Sequence, residues 1–140
     1  MKSKSQKLQK KAEALWKACC WARDGKRCMV KEFDYAIEIA HTNIFQVDHC
    51  FSRTNKHLFL DVKNGTSVCS TCNMLKGFGQ KSVHRIIDEI VRQREGQEAF
   101  NKMLLIDQCK NPNLQWNQIP WLELQIARLE KELANLMERK

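Results

Sequence analysis

Apolar residues recur at helical spacing in several segments, which predicts a mainly helical chain. A first helix is predicted over residues 5–22. Its apolar positions are Leu8, Ala12, Leu15, Trp16, Cys19 and Cys20. A later helix is predicted to begin near Cys72 or Asn73 and to end at Gly77 and Gly79, since glycine terminates helices.

Three further helical segments follow toward the C-terminus. Ser82 is predicted to cap a helix with an apolar stripe that ends at Val91, and Gly96 to break it. Residues 100–106 continue the helical pattern, and Asn111-Pro112-Asn113 is predicted to form a loop. Pro120 is predicted to start the last helix, because proline suits the first helical turn.

Two short segments have the pattern of strands. Residues 43–50 contain Ile44, Phe45 and Val47, and Thr66–Cys69 follows a turn at Asn64-Gly65. Between them lies a polar, basic loop in which Leu58-Phe59-Leu60 is predicted to be a short extended piece. Residues 35–39 have a mixed pattern that favours no element. The elements together predict an α+β protein.

Five apolar residues of the last helix are spaced four, three, four and three apart. They are Leu122, Ile126, Leu129, Leu133 and Leu136. This is the spacing of a coiled-coil seam, but barely two heptads are present. Two interpretations are open, namely a helix packed on its own domain and a contact with a second copy of the chain.

Length and composition narrow the class of protein. With 140 residues the chain is expected to form one domain, or one small domain with helical extensions. No apolar run is long enough to cross a bilayer, and the lysine-rich start lacks the features of a secretion signal. A cytoplasmic protein without a membrane partner is expected. Its seven cysteines are then interpreted as thiols or metal ligands.

Positive charge is concentrated at the start of the chain. Residues 1–31 contain ten Lys/Arg and two Asp/Glu, which accounts for the whole net charge of +8. Such an arm suits the phosphates of nucleic acid, although a helix that lysines merely keep soluble is the alternative. A second basic cluster surrounds the cysteine-rich segment and favours DNA as the partner. The predicted DNA-binding residues are Lys7, Lys10, Lys11, Arg53, Lys56, Lys76, Lys81 and Arg85.

An Asp-His pair and a downstream Cys-x2-Cys-Asn block carry the candidate chemistry. Asp48 and Asn73 offer hard oxygen ligands that suit Mg²⁺ or Mn²⁺. His49 lies next to Asp48 on a strand, so it points the opposite way and can act as a general base on water. Asn64 at the turn would orient the loop or the imidazole. The predicted catalytic residues are therefore Asp48, His49, Asn64 and Asn73.

This order of residues resembles the HNH endonuclease pattern and, more closely, the phage NinG (Rap) recombination endonucleases. The matching segments are Arg23-Asp24-Gly25-Lys26-Arg27-Cys28, Asp48–Arg53, Leu58, Asn64, Cys69-x2-Cys72-Asn73-x2-Lys76, Arg85-Ile86-Ile87, Gly96–Ala99 and Trp116. The resemblance implies a ββα-metal core and cleavage of branched recombination intermediates such as Holliday junctions. It also implies a phage-encoded protein in the host cytoplasm.

One departure from the family pattern concerns zinc. The family has a Cys-x2-Cys pair before the Asp-His element, whereas here Cys28 is followed three residues later by Lys31. Cys28, Cys69 and Cys72 leave a tetrahedral Zn²⁺ site one ligand short. The open candidates for the fourth ligand are Cys19, Cys20, His41 and Cys50, and cysteines packed without metal are the alternative. Apart from this option, His41 is interpreted as a surface or loop residue.

The predicted architecture is a small ββα-metal (HNH-like) core over residues 28–81. A basic helical arm, residues 1–27, precedes it, and a helical region, residues 82–140, follows as a candidate dimer contact. The expected function is Mg²⁺-dependent hydrolysis of branched DNA, with a homodimer for paired cuts. Two alternatives remain, which are an HNH nicking endonuclease on ordinary duplex and a zinc-ribbon DNA-binding module without catalysis.

Overall fold

The computed structural model describes residues 1–33, 38–52, 54–109 and 118–139, and in these residues it is mostly helical with one two-stranded sheet. This confirms the α+β class. Among the described residues, no helix combines the length and apolar character needed to cross a membrane. The elements in chain order are α1 (Lys4–Asp24), α2 (Met29–Phe33), β1 (Phe45–His49), a 3-10 turn (Val62–Asn64), β2 (Gly65–Cys69), α3 (Ser70–Gly77), α4 (Lys81–Glu95), α5 (Gln97–Gln108) and α6 (Ile119–Glu138).

Helix α1 confirms the first predicted helix and extends it by one residue at its start and by two at its end. Ser3 caps it, because its hydroxyl accepts from Gln6 N while the Gln6 side chain bonds back to the Ser3 backbone. At the other end Gly25 has φ +82°, the left-handed conformation that glycine adopts without strain. The helix therefore stops where the segment leading to Cys28 begins.

The two strands pair antiparallel, with Phe45 opposite Cys69 and His49 opposite Gly65. All of β2 is buried. The predicted extended piece at Leu58–Leu60 is wrong, because these residues lie in consecutive turns, with Asp61 N bonded to Leu58 O at 3.0 Å. Three consecutive apolar residues are compatible with a buried turn as well as with a strand, so composition alone did not distinguish the two.

Helix boundaries differ from the predicted ones where a side chain acts as a cap. Helix α3 begins at Ser70, earlier than expected, since the Cys69 sulfur accepts from Cys72 N at 3.5 Å. Helix α4 begins at Lys81 after Gln80, so Ser82 is not its cap. Gly96, with φ +95°, separates α4 from α5 as predicted.

Three core clusters organise the described residues, and the smallest joins Phe51 and Leu58 to α4 and α5. The first joins α1 and α6 to Val47 and the turns after Phe59, and the second lies between β2, α3, α4 and the Cys28 segment. The seam of α6 packs into the first cluster against α1, with Ile126 and Leu129 buried. Of the two interpretations of this helix, the structure shows packing on its own domain. The loop predicted at 111–113 lies outside the described residues, as does most of segment 35–39.

Candidate functional site

Three cysteines and one histidine converge in the second core cluster. Their ligand atoms all lie within 4.8 Å of one another. The Cys28 sulfur lies 3.7 Å from the Cys72 sulfur, and His41 Nδ1 lies 3.4 Å from the Cys69 sulfur and 3.5 Å from that of Cys72. We call Cys28, His41, Cys69 and Cys72 the Cys3His cluster. It could hold one metal ion.

Three chain segments supply the four ligands of the Cys3His cluster. Cys28 follows the turn after α1, and His41 precedes β1. Cys69 ends β2, and Cys72 lies in the first turn of α3. Because Cys69 is also the cap of α3, the strand-to-helix junction itself places two of the four ligands.

His41 is the ligand that the sequence left open. Among the other candidates, the Cys19 sulfur donates to Leu129 O at 3.4 Å, and the Cys20 sulfur to Val62 O at 3.9 Å. The Cys50 sulfur instead donates to an Asp88 carboxylate oxygen at 3.2 Å. Thirteen residues separate His41 from Cys28. No local pattern marks such a pairing, so only the tertiary fold could identify this residue.

The spacing of the Cys3His cluster matches a tetrahedral metal site. With Zn–S bonds of about 2.3 Å, a regular tetrahedron has edges of about 3.8 Å, and Zn–N bonds near 2.0 Å shorten the mixed edges to about 3.5 Å. The observed sulfur–sulfur separation is 3.7 Å, and the sulfur–nitrogen separations are 3.4–3.7 Å. The hydrogen bond between the Cys28 and Cys72 sulfurs lowers the pKa of the Cys28 thiol and raises that of Cys72, so one of these two sulfurs is favoured as the thiolate.

A second candidate centre lies at an open cavity of about 560 Å³ between α1, β1 and α3. Residues predicted from the Asp-His and Cys-Asn motifs meet there. Its lining includes Trp16, Lys17, Gln46, Asp48, His49 and Asn73. Asp48 and His49 of β1 and Asn73 of α3 thus line one space.

His49 is held on two sides. Its Nε2 lies 2.9 Å from Phe59 O, and its ring stacks on Trp16 with centroids 4.1 Å apart. A carbonyl only accepts, so Nε2 carries the proton in this bond, and in the neutral ring the basic nitrogen is Nδ1. Trp16 is in turn fixed by its Nε1–H, which donates to Asp61 O at 2.8 Å. The sequence identified Trp16 only as an apolar position of the first predicted helix.

Asp48 points to the opposite side of β1 from His49, as the strand alternation predicts. The Lys76 ammonium lies 2.6 Å from its Oδ2 and also contacts His49 O. Burial raises the pKa of the Asp48 carboxyl, and the neighbouring Lys76 opposes that rise. A carboxylate in this position is poorly hydrated and is stabilised by a cation.

Helix α3 aligns two side chains along β1. The Asn73 amide donates to Gln46 Oε1 at 2.5 Å, and one turn later Lys76 reaches Asp48. Because Asn73 Nδ2 faces Gln46, Oδ1 is the atom that the amide can offer to a metal. Asn73 directly follows Cys72, so the Cys3His cluster and this side chain share one helical turn.

Asn64 closes the loop between the strands and does not contact the His49 ring. It is fully buried. Its Oδ1 accepts from Phe51 N at 2.7 Å, and its Nδ2 donates to Phe51 O and Leu58 O, each at 3.1 Å. Asn64 was predicted to orient either the loop or the imidazole, and its hydrogen bonds are made to the loop.

The predicted DNA-binding residues lie in different parts of the surface. Most are exposed side chains on α1 and α4, whereas Lys76 is 9% exposed in its ion pair with Asp48. The Lys56 ammonium lies 4.6 Å from the Phe59 ring centroid. Arg53 lies outside the described residues. Contact of these residues with DNA stays a prediction.

No family model matches the chain, and neither a curated protein nor a solved structure shows a significant match. The resemblance to HNH and NinG endonucleases therefore depends on the residues of the motif alone.

Proposed function

We propose that this protein is a metal-dependent DNA endonuclease of the HNH type that acts on branched DNA. The supporting observation is the cavity that Asp48, His49 and Asn73 border together. A hairpin followed by a helix carries these three residues, which is the arrangement that the sequence motif implies. Phosphodiester hydrolysis needs a base for water and a cation for the developing charge.

In this proposal His49 is the general base. Its Nε2–H bond to Phe59 O sets the tautomer in which Nδ1 accepts a proton from water. The stacked Trp16 ring restricts rotation of the imidazole. Both contacts come from residues outside the motif, which supports a function for His49 that depends on its orientation.

Asp48 and Asn73 would bind Mg²⁺ or Mn²⁺, since both offer hard oxygen ligands. When bound, the ion would stabilise charge on the phosphate and on the departing 3′ oxygen. Lys76 already contributes a positive charge at Asp48 Oδ2. We infer that Lys76 keeps the buried carboxylate ionised and that a divalent cation has to share Asp48 with it.

We further propose that the Cys3His cluster binds a structural Zn²⁺. Its donors and edge lengths suit zinc, and four protein ligands leave no open position, as is typical of structural sites. Because Cys72 and Asn73 are consecutive, zinc would fix the helical turn that presents the Asn73 amide. Removal of zinc should therefore weaken both the fold and the divalent-cation site.

DNA as substrate is supported by the net charge of +8 and by Lys17 at the edge of the cavity. The preference for branched DNA comes from the family resemblance. Paired cuts across a four-way junction would require two active sites. Since the α6 seam is occupied by α1, a homodimer would use another surface.

Cleavage of a four-way junction, a flap and a linear duplex in Mg²⁺ tests the proposal. His49→Ala should lower the cleavage rate at least about a hundredfold and leave DNA affinity unchanged. Added imidazole should restore part of the rate, because the shortened side chain leaves space beside Trp16. Equal rates for the variant and the native protein would refute the nuclease assignment.

The Cys3His cluster alone would also suit a zinc-ribbon DNA-binding module without catalysis. That alternative predicts zinc-dependent DNA binding and no cleavage of any of the three substrates. Equal cleavage of junction and duplex would instead favour an HNH nicking enzyme. The same experiment thus separates the three functions.

A further inference from the structure

A second, basic groove lies on the far side of the loop that holds His49. It has a volume of about 590 Å³ and runs between residues 56–63 and helix α6. We call it the α6 groove. Leu60 and Trp121 contribute apolar surface. Its charged lining residues are Lys56, Lys63, Arg128 and Lys131 against Asp61 and Glu132.

The two carboxylates do not neutralise the α6 groove. Asp61 Oδ1 accepts from the backbone N of Lys63 at 3.0 Å, and Glu132 lies 3.5 Å from Arg128 Nη1. Lys63 and Lys131 are exposed, and within the described part of the chain neither forms an ion pair. With four cations and two carboxylates, the lining has a formal excess of +2.

The loop between the α6 groove and the candidate catalytic cavity is held from both sides. Phe59 O contacts His49, while the Phe59 ring stacks on Trp121 with centroids 6.4 Å apart. Arg128 Nη2 donates to Leu60 O at 3.1 Å. Lys56 and Lys63 therefore lie on the loop that positions the imidazole, whereas Lys131 lies on α6.

We propose that the α6 groove binds the phosphate backbone of a second nucleic-acid segment, one that does not enter the catalytic cavity. The chemistry fits a polyanion with repeated charges, since two exposed lysines flank a cleft with an apolar wall. The inference rests on the proposed function for the identity of the polyanion as DNA. A branched substrate offers such a second segment next to the reacting strand, whereas a short linear duplex does not.

The test uses the full zinc-loaded chain without added Mg²⁺, so that binding is measured apart from cleavage. The double variant Lys63→Gln/Lys131→Gln removes the two exposed charges and leaves Arg128 in place on Leu60 O. The control Lys102→Gln/Arg139→Gln removes two exposed charges that do not line the groove, of which Lys102 pairs with Glu98 at 3.6 Å. Affinity for a four-way junction and for a short duplex is measured between about 50 and 200 mM salt, because affinity changes strongly over this range when phosphates are contacted.

Loss of two phosphate contacts should reduce the slope of log K against log salt by about 1.8, at about 0.9 per contact. We expect that change for the junction with the groove variant, less than half of it for the short duplex, and little change with the control. Equal slopes for both variants, or equal losses on junction and duplex, would overturn the proposal.

Two further outcomes identify the cause of a failure. If the groove variant loses affinity for polyglutamate but keeps the native slope on the junction, the groove binds an acidic protein and the DNA proposal is wrong. If the slope changes as expected while the native protein cleaves no substrate in Mg²⁺, the groove proposal stands and the nuclease proposal fails.

Discussion

Asn64→Ala perturbs the residue that closes the loop between the strands. The substitution removes the three hydrogen bonds of the Asn64 amide group. It leaves Phe51 N, Phe51 O and Leu58 O without these partners, in a region where Phe51 is 8% and Leu58 1% exposed. The backbone bond from Cys50 N to Asn64 O, at 2.8 Å, does not depend on the side chain and persists.

The expected loss of stability follows from these groups. A buried polar group left without a partner costs about 1–3 kcal/mol, and water entering the vacated space recovers part of it. Leu58 O keeps its bond from Asp61 N at 3.0 Å, so two groups, Phe51 N and Phe51 O, lose the side-chain partner. For these two groups we expect a loss of about 2–4 kcal/mol in the free energy of unfolding. At about 2.1 cal/mol/K per residue this corresponds to a fall in Tm of about 7–14 °C for a chain of this length.

Urea unfolding followed by circular dichroism measures the effect directly. Asn101→Ala is the matched control, because Asn101 is exposed on α5 and accepts only from Gln97. The control should change the free energy by less than about 0.5 kcal/mol. A loss below about 1 kcal/mol for Asn64→Ala, with an unchanged m value, would refute the assigned hydrogen bonds.

Three further predictions concern packing and metal. Gly65→Ala places a Cβ 2.7 Å from Trp16 Cζ2 in the first core cluster, so the free energy of unfolding should fall by about 1–3 kcal/mol in the same urea assay. An unchanged free energy of unfolding would contradict this packing. In zinc-loaded protein a thiol reagent at pH 8 should label the exposed Cys109 first, whereas buried thiols react slowly, as for Cys20, whose pKa burial raises to about 12. Chelation of the metal should make the three cysteines of the Cys3His cluster reactive as well. Equal labelling rates for all seven cysteines in the zinc-loaded protein would exclude a metal site. His41→Ala should release zinc at least about tenfold more readily while His41→Cys retains it, and equal zinc content of both variants by elemental analysis would remove His41 from the site.

Local patterns in the sequence predicted the parts of this fold that local interactions determine. The apolar spacing of α1, the alternation around Val47 and the glycine breaks at Gly77 and Gly96 all correspond to observed elements. The motif also predicted that Asp48, His49 and Asn73 would meet, and the cavity borders all three. Strand alternation and helix periodicity were sufficient for the elements, whereas the meeting of these three residues was predicted from the motif.

The features that sequence reasoning missed, or left open as it left His41 among four candidate ligands, depend on contacts between distant segments. His41 meets Cys69 across 28 residues, and Trp16 meets His49 through the packing of α1 on the sheet. Lys76 was expected at a phosphate, yet α3 places its ammonium beside Asp48. The type of a residue shows which chemistry its side chain offers, whereas the residues that this side chain contacts depend on tertiary packing.

The central claim is that Asp48 and Asn73 share one divalent cation, with His49 facing it across the cavity. Mn²⁺ binding to the zinc-loaded protein, followed by electron paramagnetic resonance, measures this directly. We predict one Mn²⁺ site per chain that Asp48→Ala abolishes, Asn73→Ala weakens at least about tenfold and His49→Ala leaves intact. Native Mn²⁺ affinity in both the Asp48→Ala and the Asn73→Ala protein would contradict the account.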